Sequence, residues 1–167
     1  MSATSEAARV LEANARFVER FDRGDAALPP SRSLAILTCI DARIDPSKAF
    51  GLEIGDAHVV RNAGGRASDD AIRSLLVSTW LLGPREIMVV HHEDCGMLTF
   101  TDDVLQGLIR DKTGQDRSAT HFLTFKDLDG SVRDDVAKIR EEAAFPGDVR
   151  VSGWIYDVRT GALREVS

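Results

Sequence analysis

The sequence predicts an α/β protein: a single domain built on a central, mostly parallel sheet of four strands with helices on both faces. Three observations predict it. Segments that read as strands, two of them short apolar runs (Leu34-Ala35-Ile36-Leu37 and Ile87-Met88-Val89-Val90) and two more at Ala57 to Arg61 and Val149 to Val158, alternate with stretches of helical period. Several runs are continuous in Val, Ile and Leu, as strands buried on both faces are. The chain's 167 residues, 43% hydrophobic and 29% charged, suffice for one core.

The first element is a helix over residues 6 to 23. Val10, Leu11, Phe17, Val18 and Phe21 share one face, while Glu12, Arg16, Glu19 and Arg20 fall largely on the other. Asn14 interrupts the apolar stripe, Ser5 is the cap and Gly24 the stop. Asp25 to Ser33, with Pro29-Pro30, reads as a connector. Residues 1–33 are therefore an arm that packs on its own domain or on a neighbouring subunit, and residues 34–167 form the α/β body.

Within the body, Leu34 to Cys39 is the first strand, and Asp45-Pro46-Ser47 opens a short helix with proline in its first turn. Ala57 to Arg61 is the second strand, and Asn62-Ala63-Gly64-Gly65 turns sharply after it. Ser68 or Asp69 caps a helix to about Leu82, with Ile72, Leu75, Leu76, Thr79 and Leu82 inward, and Gly83-Pro84 stops it. Glu86 to His92 is the third strand. Thr99 or Thr101 caps a helix through about Lys112, with Val104, Leu105, Leu108 and Ile109 inward. Residues 113 to 130 are polar, with Phe122 and Phe125 as anchors. Ser131 caps a helix to about Glu142 carrying Val132, Val136 and Ile139, and Pro146-Gly147-Asp148 breaks it. Val149 to Val158 is the fourth strand. The Thr160-Gly161 turn lets Leu163 to Val166 add a short antiparallel edge.

A formal charge of −6, from 21 basic and 27 acidic residues, argues against a nucleic-acid binder. No apolar run is long enough to cross a bilayer, and Met1 to Glu6 lacks the pattern of a secretory leader. The expected location is the cytoplasm, where two cysteines remain thiols.

Those two cysteines carry the chemistry. Cys39 lies in Thr38-Cys39-Ile40-Asp41-Ala42-Arg43 and Cys95 in His91-His92-Glu93-Asp94-Cys95-Gly96, each just past a strand. Open α/β sheets place their ligands at such carboxyl ends. Two thiolates and an imidazole from His92 make a soft three-ligand set of the kind zinc takes in catalytic sites, with its fourth position open. In extended backbone Cys39, Asp41 and Arg43 share one side, while Ile40 and Ala42 face away. The plainer readings are a small buried cysteine at a strand end and a structural Asp41–Arg43 ion pair. Gly64-Gly65 is a backbone turn, since no Lys-Ser/Thr follows it. Trp80 and Trp154 read as core; Glu93 and Asp94, inside the His-x-x-Cys loop, read as exposed loop carboxylates, with support of the neighbouring ligands as the alternative.

Cys-x-Asp-x-Arg at 39–43 followed by His-x-x-Cys-Gly at 92–96 resembles the paired motifs of the β-class carbonic anhydrases, in their smaller bacterial or archaeal form. Val59-Val60-Arg61-Asn62-Ala63-Gly64 and Gly153-Trp154-Ile155-Tyr156-Asp157-Val158 with Gly161 are similar to further segments of that family, and Asn14-Ala15-Arg16-Phe17 to its helical arm. The resemblance implies zinc held by Cys39, His92 and Cys95, an Asp41–Arg43 dyad, and a Gly96 amide beside the substrate. It implies reversible hydration of carbon dioxide to bicarbonate by zinc-bound hydroxide, in a homodimer or a larger set of dimers. It also implies that Asp41, if Arg43 releases it, can close the site at low pH. Two other readings stay open: hydrolysis of carbonyl sulfide or carbon disulfide at the same zinc, and a non-catalytic zinc or redox-sensing module. His58, His91 and His121 are candidate proton carriers alongside buffer or a water chain. Alternation points His91 away from His92, toward a structural role.

Overall fold

Leu34–Cys39 (β1) runs through a five-stranded sheet of order β2-β1-β3-β4-β5, whose other members are Ala57–Asn62 (β2), Glu86–His92 (β3), Arg150–Tyr156 (β4) and Leu163–Glu165 (β5). The computed structural model describes residues 5–167; the leader reading of Met1 to Thr4 lies outside the described residues. β1, β2, β3 and β4 pair in parallel, and β5 adds the antiparallel edge with Tyr156 opposite Leu163. Along β1, Ala35 and Leu37 join one apolar cluster, and Leu34 and Ile36 the other. The two clusters are the cores of opposite sheet faces, which is why the strand reads as an unbroken apolar run.

Helices Pro46–Phe50 (α2), Asp69–Leu82 (α3), Asp102–Thr113 (α4) and Leu128–Glu141 (α5) follow the strands, and Glu6–Val18 (α1) precedes them. Ser68 caps α3, its hydroxyl accepting from the Ala71 amide at 3.3 Å, and Gly83 ends it in the left-handed conformation. Leu75 of α3 and Val132, Val136 and Ile139 of α5 cover the face that carries Leu37, Val89 and Ile155.

Four expectations need correction. α1 stops at Val18, where amides of Arg20 and Phe21 bond back three residues and tighten the chain into a turn. α5 begins at Leu128, with Asp127 before it accepting from the Ser131 amide through its backbone carbonyl, so Ser131 lies inside the helix. Ser131 is polar there because its hydroxyl serves His91, described below. Val104 and Leu108 of α4 are exposed, the helix turning only Leu105 and Ile109 partly inward. Trp80 is 64% exposed, its indole N–H donating to the Ala144 carbonyl at 2.8 Å.

Within the arm, Ser31 to Ser33 bond to the body at Gly55, Asp56 and Arg85, whereas α1 stands clear of it. Among the described residues α1 has no buried side chain, and Val10, Leu11, Phe17, Val18 and Phe21 all stand in solvent. Among the described residues no helix is long and apolar enough to cross a membrane.

Candidate metal centre

From β1 the chain leaves toward β2 on one side, and from β3 it leaves toward β4 on the other, so a crevice opens beyond the carboxyl ends of these two strands. Cys39 is the last residue of β1 and His92 the last of β3. Asp94, in the left-handed region at φ 55, reverses the chain and brings Cys95 back beneath the crevice. The Sγ atoms of Cys39 and Cys95 and a ring nitrogen of His92 lie within 4.8 Å of one another, and all three residues are buried. Among the described residues this is the one such cluster.

His92 is oriented by its backbone neighbour. Its Nδ1–H donates to the Glu93 carbonyl at 2.9 Å, which leaves Nε2 with its lone pair facing the sulfurs. Nε2 is buried and has no hydrogen-bond partner. An orphaned imidazole nitrogen beside two sulfurs fits a soft divalent cation, since the metal satisfies the buried lone pair that protein groups leave unmet.

The sulfurs are unequal. A hydrogen bond from Cys95 lowers the Cys39 pKa to about 4, against burial and with help from His92 and the amides of Asp41 and Gly64. The same partnership, with burial, pushes Cys95 up. A bound cation would take both residues as thiolates.

Asp41 stands just outside the donor set, its Oδ2 3.9 Å from His92 Nε2. Arg43 holds it through Nε to Oδ1 at 2.9 Å and Nη2 to Oδ2 at 2.7 Å. These bonds outweigh partial burial and keep the carboxyl well below the usual carboxylate range. Arg61 steadies the same segment, donating to the Cys39 carbonyl at 2.9 Å and to the Asp41 carbonyl at 2.8 Å. Over the sulfurs lies a cavity of about 220 Å³ lined by Ile40, Asp41, Gly64, Gly96, Met97 and Phe100 among others. Gly96 leaves it open, since a side chain there would meet nothing within 4 Å. A larger cleft, about 680 Å³, lies at the opposite end of the sheet near Phe145 and Arg150, far from the metal-ligating cluster.

The sequence profile of the family described as carbonic anhydrase matches residues 34–163. Beta-carbonic anhydrase 1 of Mycobacterium tuberculosis is 43% identical over 145 residues, covering 87% of this chain and 88% of that protein. A crystal structure of carbonic anhydrase from Streptococcus mutans superposes with a TM-score of 0.92 at 42% identity, covering 99% of each chain. The chain belongs to the β-class carbonic anhydrases. A carbon disulfide hydrolase of Saccharolobus solfataricus is also similar, 34% identical over 161 residues, covering 83% of this chain and 79% of that one.

In this carbonic anhydrase the residues singled out in the sequence converge: Cys39, His92 and Cys95 form the cluster, Asp41 and Arg43 its rim, and Gly96 the cavity wall. Asp94 is exposed, as expected of a loop carboxylate, its side chain 61% accessible, and it is also a partner of Arg43. It accepts from Arg43 Nη1 at 2.7 Å, and its carbonyl accepts from Nη2 at 3.0 Å. The signal was present in its place next to Cys95, but only the positive φ turns it back toward Arg43. Of the other histidines, His58 pairs with Ser78 at 2.6 Å and His121 is exposed, 3.7 Å from Asp102. His91 points away from His92, as alternation predicts, into a buried network behind the site.

Proposed function

We propose that this carbonic anhydrase hydrates carbon dioxide reversibly to bicarbonate with zinc held by Cys39, His92 and Cys95. The observation that carries the reading is the partnerless, buried His92 Nε2 aimed at two sulfurs, with a charged carboxylate 3.9 Å away at the rim. When bound, zinc supplies an acidified water as nucleophile and positive charge for the product.

The protein's own groups do the rest. Two thiolates offset the charge of the cation, which reduces its acidifying power, so Asp41 gains importance as the acceptor of the nucleophile's hydrogen. A carboxylate fixed through both oxygens by Arg43 keeps its charge and its aim. Asp94 holds the other edge of that guanidinium. Ile40, Met97 and Phe100 give the cavity an apolar wall that suits an uncharged linear substrate, and the Gly96 backbone lies beside it. His58, His91 and His121 do not line this cavity, so proton removal to solvent or buffer fits better than a histidine carrier.

The exposed apolar face of α1 supports a homodimer or a dimer-based assembly in which the arm, residues 1–33, crosses to a second copy. Cys39 and Cys95 are free thiols in close contact, which suits a reducing compartment, and we place the protein in the cytoplasm. A second reading, hydrolysis of carbon disulfide, rests on the 34% identity to the hydrolase.

Stopped-flow assays of the zinc-loaded protein test both. Carbon dioxide hydration that disappears on chelation and returns with zinc is the expected result. Zinc-loaded protein that leaves hydration at the buffer rate while releasing sulfide from carbon disulfide would replace the first reading by the second.

A further inference from the structure

Behind the metal-ligating cluster, on the α5 side of the sheet, lies a network of polar side chains largely withdrawn from solvent. The side chains of His91 and Asp135 are 0% and 4% exposed, and that of Arg66 is 13% exposed. Asp135 receives Arg66 through Nε at 2.7 Å and Nη2 at 3.2 Å, and His91 Nε2 lies 3.1 Å from its Oδ2. The same His91 nitrogen lies 3.2 Å from the Gly65 carbonyl. On its far side, His91 Nδ1 meets Ser131 Oγ at 2.9 Å, and that hydroxyl donates to the Leu128 carbonyl at 2.8 Å. Both ring nitrogens thus face acceptor oxygens. Phe125 closes the network from outside, stacked on His91 and lying under the Arg66 guanidinium.

Nothing in the mechanism uses this cluster directly, and burying an ion pair is costly compared with an apolar packing of the same volume. Its geometry leads to the metal centre by one route. The turn Ala63–Gly65 lies between the network and Cys39, and the Gly64 amide donates to Cys39 Sγ at 3.3 Å. Asn62 closes this turn on itself through the backbone of Arg66, both ways at 2.7 Å. Closure alone does not set the turn's height over the sulfur. The turn is held over the sulfur by the packing of Gly65 on the Thr38–Cys39 backbone and by the ties of Gly65 and Arg66 to β3 and α5, through His91 and Asp135.

We propose that Asp135 is a positioning residue of the metal centre: with Arg66 and His91 it fixes the turn whose Gly64 amide donates to the Cys39 sulfur. A donor on a metal-bound thiolate draws charge from the sulfur, so the cation keeps acidity that two thiolates would otherwise remove. The proposal rests on the zinc reading above.

The test compares the full-length wild type with Asp135→Asn and with Arg66→Gln, whose side chain is nearer solvent and safer to alter. Circular dichroism checks folding, competition with a chromophoric chelator gives zinc affinity, and cobalt substitution reports the thiolate-to-metal charge-transfer band. The expected result is folded variants with zinc affinity lowered about 10–100-fold, a shifted cobalt band, and a fall in kcat with little change in KM. If Asp135→Asn does not fold, Arg66→Gln decides by the same readouts. Folded variants with wild-type zinc affinity and an unchanged band overturn the proposal, even where thermal stability drops. A wild type that takes up no zinc overturns the metal reading itself, and this proposal with it.

Discussion

Arg43 grips Asp41 with two parallel hydrogen bonds, at 2.9 and 2.7 Å, while its third nitrogen donates to Asp94 at 2.7 Å. One guanidinium therefore serves two carboxylates that lie far apart in the chain. The Asp41 side chain is 18% exposed, so this clamp acts at the edge of the buried site rather than in open solvent. Asp41 Oδ1 also accepts from the Arg43 backbone amide at 2.8 Å, so for Asp41 to reach the metal as a fourth ligand its two guanidinium bonds would have to break and this third one to yield.

Asp41→Asn keeps the shape of the rim and removes its charge. Zinc content is expected to stay near wild type, because Asp41 lies outside the three-donor cluster. Carbon dioxide hydration is expected to fall by about 100-fold or more, the scale of a lost proton acceptor. Metal analysis and stopped-flow rates on the same sample check this, and near-normal turnover would remove Asp41 from the mechanism.

The buried pair of Asp135 and Arg66 gives stability a pH dependence. Burial would raise the Asp135 pKa, but hydrogen bonds from His91 and Arg66 outweigh it, so the carboxyl titrates below its ordinary value. A group depressed in the folded state contributes fully above its unfolded pKa, about 3.9, and loses that contribution as pH falls through the folded value. The stability gap between wild type and Asp135→Asn is expected to be roughly 3–5 kcal/mol at neutral pH. It should narrow below about pH 4. Urea titrations at a series of pH values measure it, and a gap constant down to pH 3 would contradict the assignment.

Gly65 has φ 70 and packs against β1, where an added Cβ would come within 3.0 Å of the Thr38 carbonyl carbon and 3.1 Å of the Cys39 amide. Gly83 has φ 81 with nothing within 4 Å of such a Cβ. Gly83→Ala should therefore cost only the left-handed penalty, about 1–2 kcal/mol. Gly65→Ala should cost clearly more, and should also weaken zinc binding because the clash displaces the backbone of a metal-ligating residue. Equal denaturation midpoints for the two variants would show that the contact with β1 is unimportant.

The arm makes a prediction about assembly. Phe17 and Val18 lie on the apolar face of α1, unburied by their own domain. If the chain assembles through α1 as proposed, replacing both by Glu in the full chain should leave the circular dichroism of the body intact and shift the light-scattering mass from the proposed dimer to the monomer. A wild-type mass already at the monomer, or a dimer mass that the change leaves in place, would contradict the proposed role of the arm.

Much of this architecture is legible in the sequence because parallel strands buried on both faces leave continuous apolar runs. The bounds of β3 follow from Glu86 to His92 directly, and the proximity of Cys39 to His92 follows from both ending adjacent strands. Other features depend on tertiary context. Ser131 has the chemistry of a cap, yet it is spent on a buried histidine contributed by β3, 40 residues away. Val104 and Leu108 follow helical period, but the surface they face is not covered by this chain. Asp94 looks like any loop carboxylate until its backbone conformation is known. The Arg66–Asp135 pair joins residues 69 positions apart, and no local pattern announces such a pair.

The most direct test of the metal centre is anomalous scattering at the zinc edge from crystals of the zinc-loaded protein at mildly alkaline pH. One peak is expected about 2.3 Å from the Sγ atoms of Cys39 and Cys95 and about 2.0–2.1 Å from His92 Nε2, with solvent in the fourth position. Crystals from zinc-loaded protein with no peak there, or with Cys39 and Cys95 joined as a disulfide, would contradict the account.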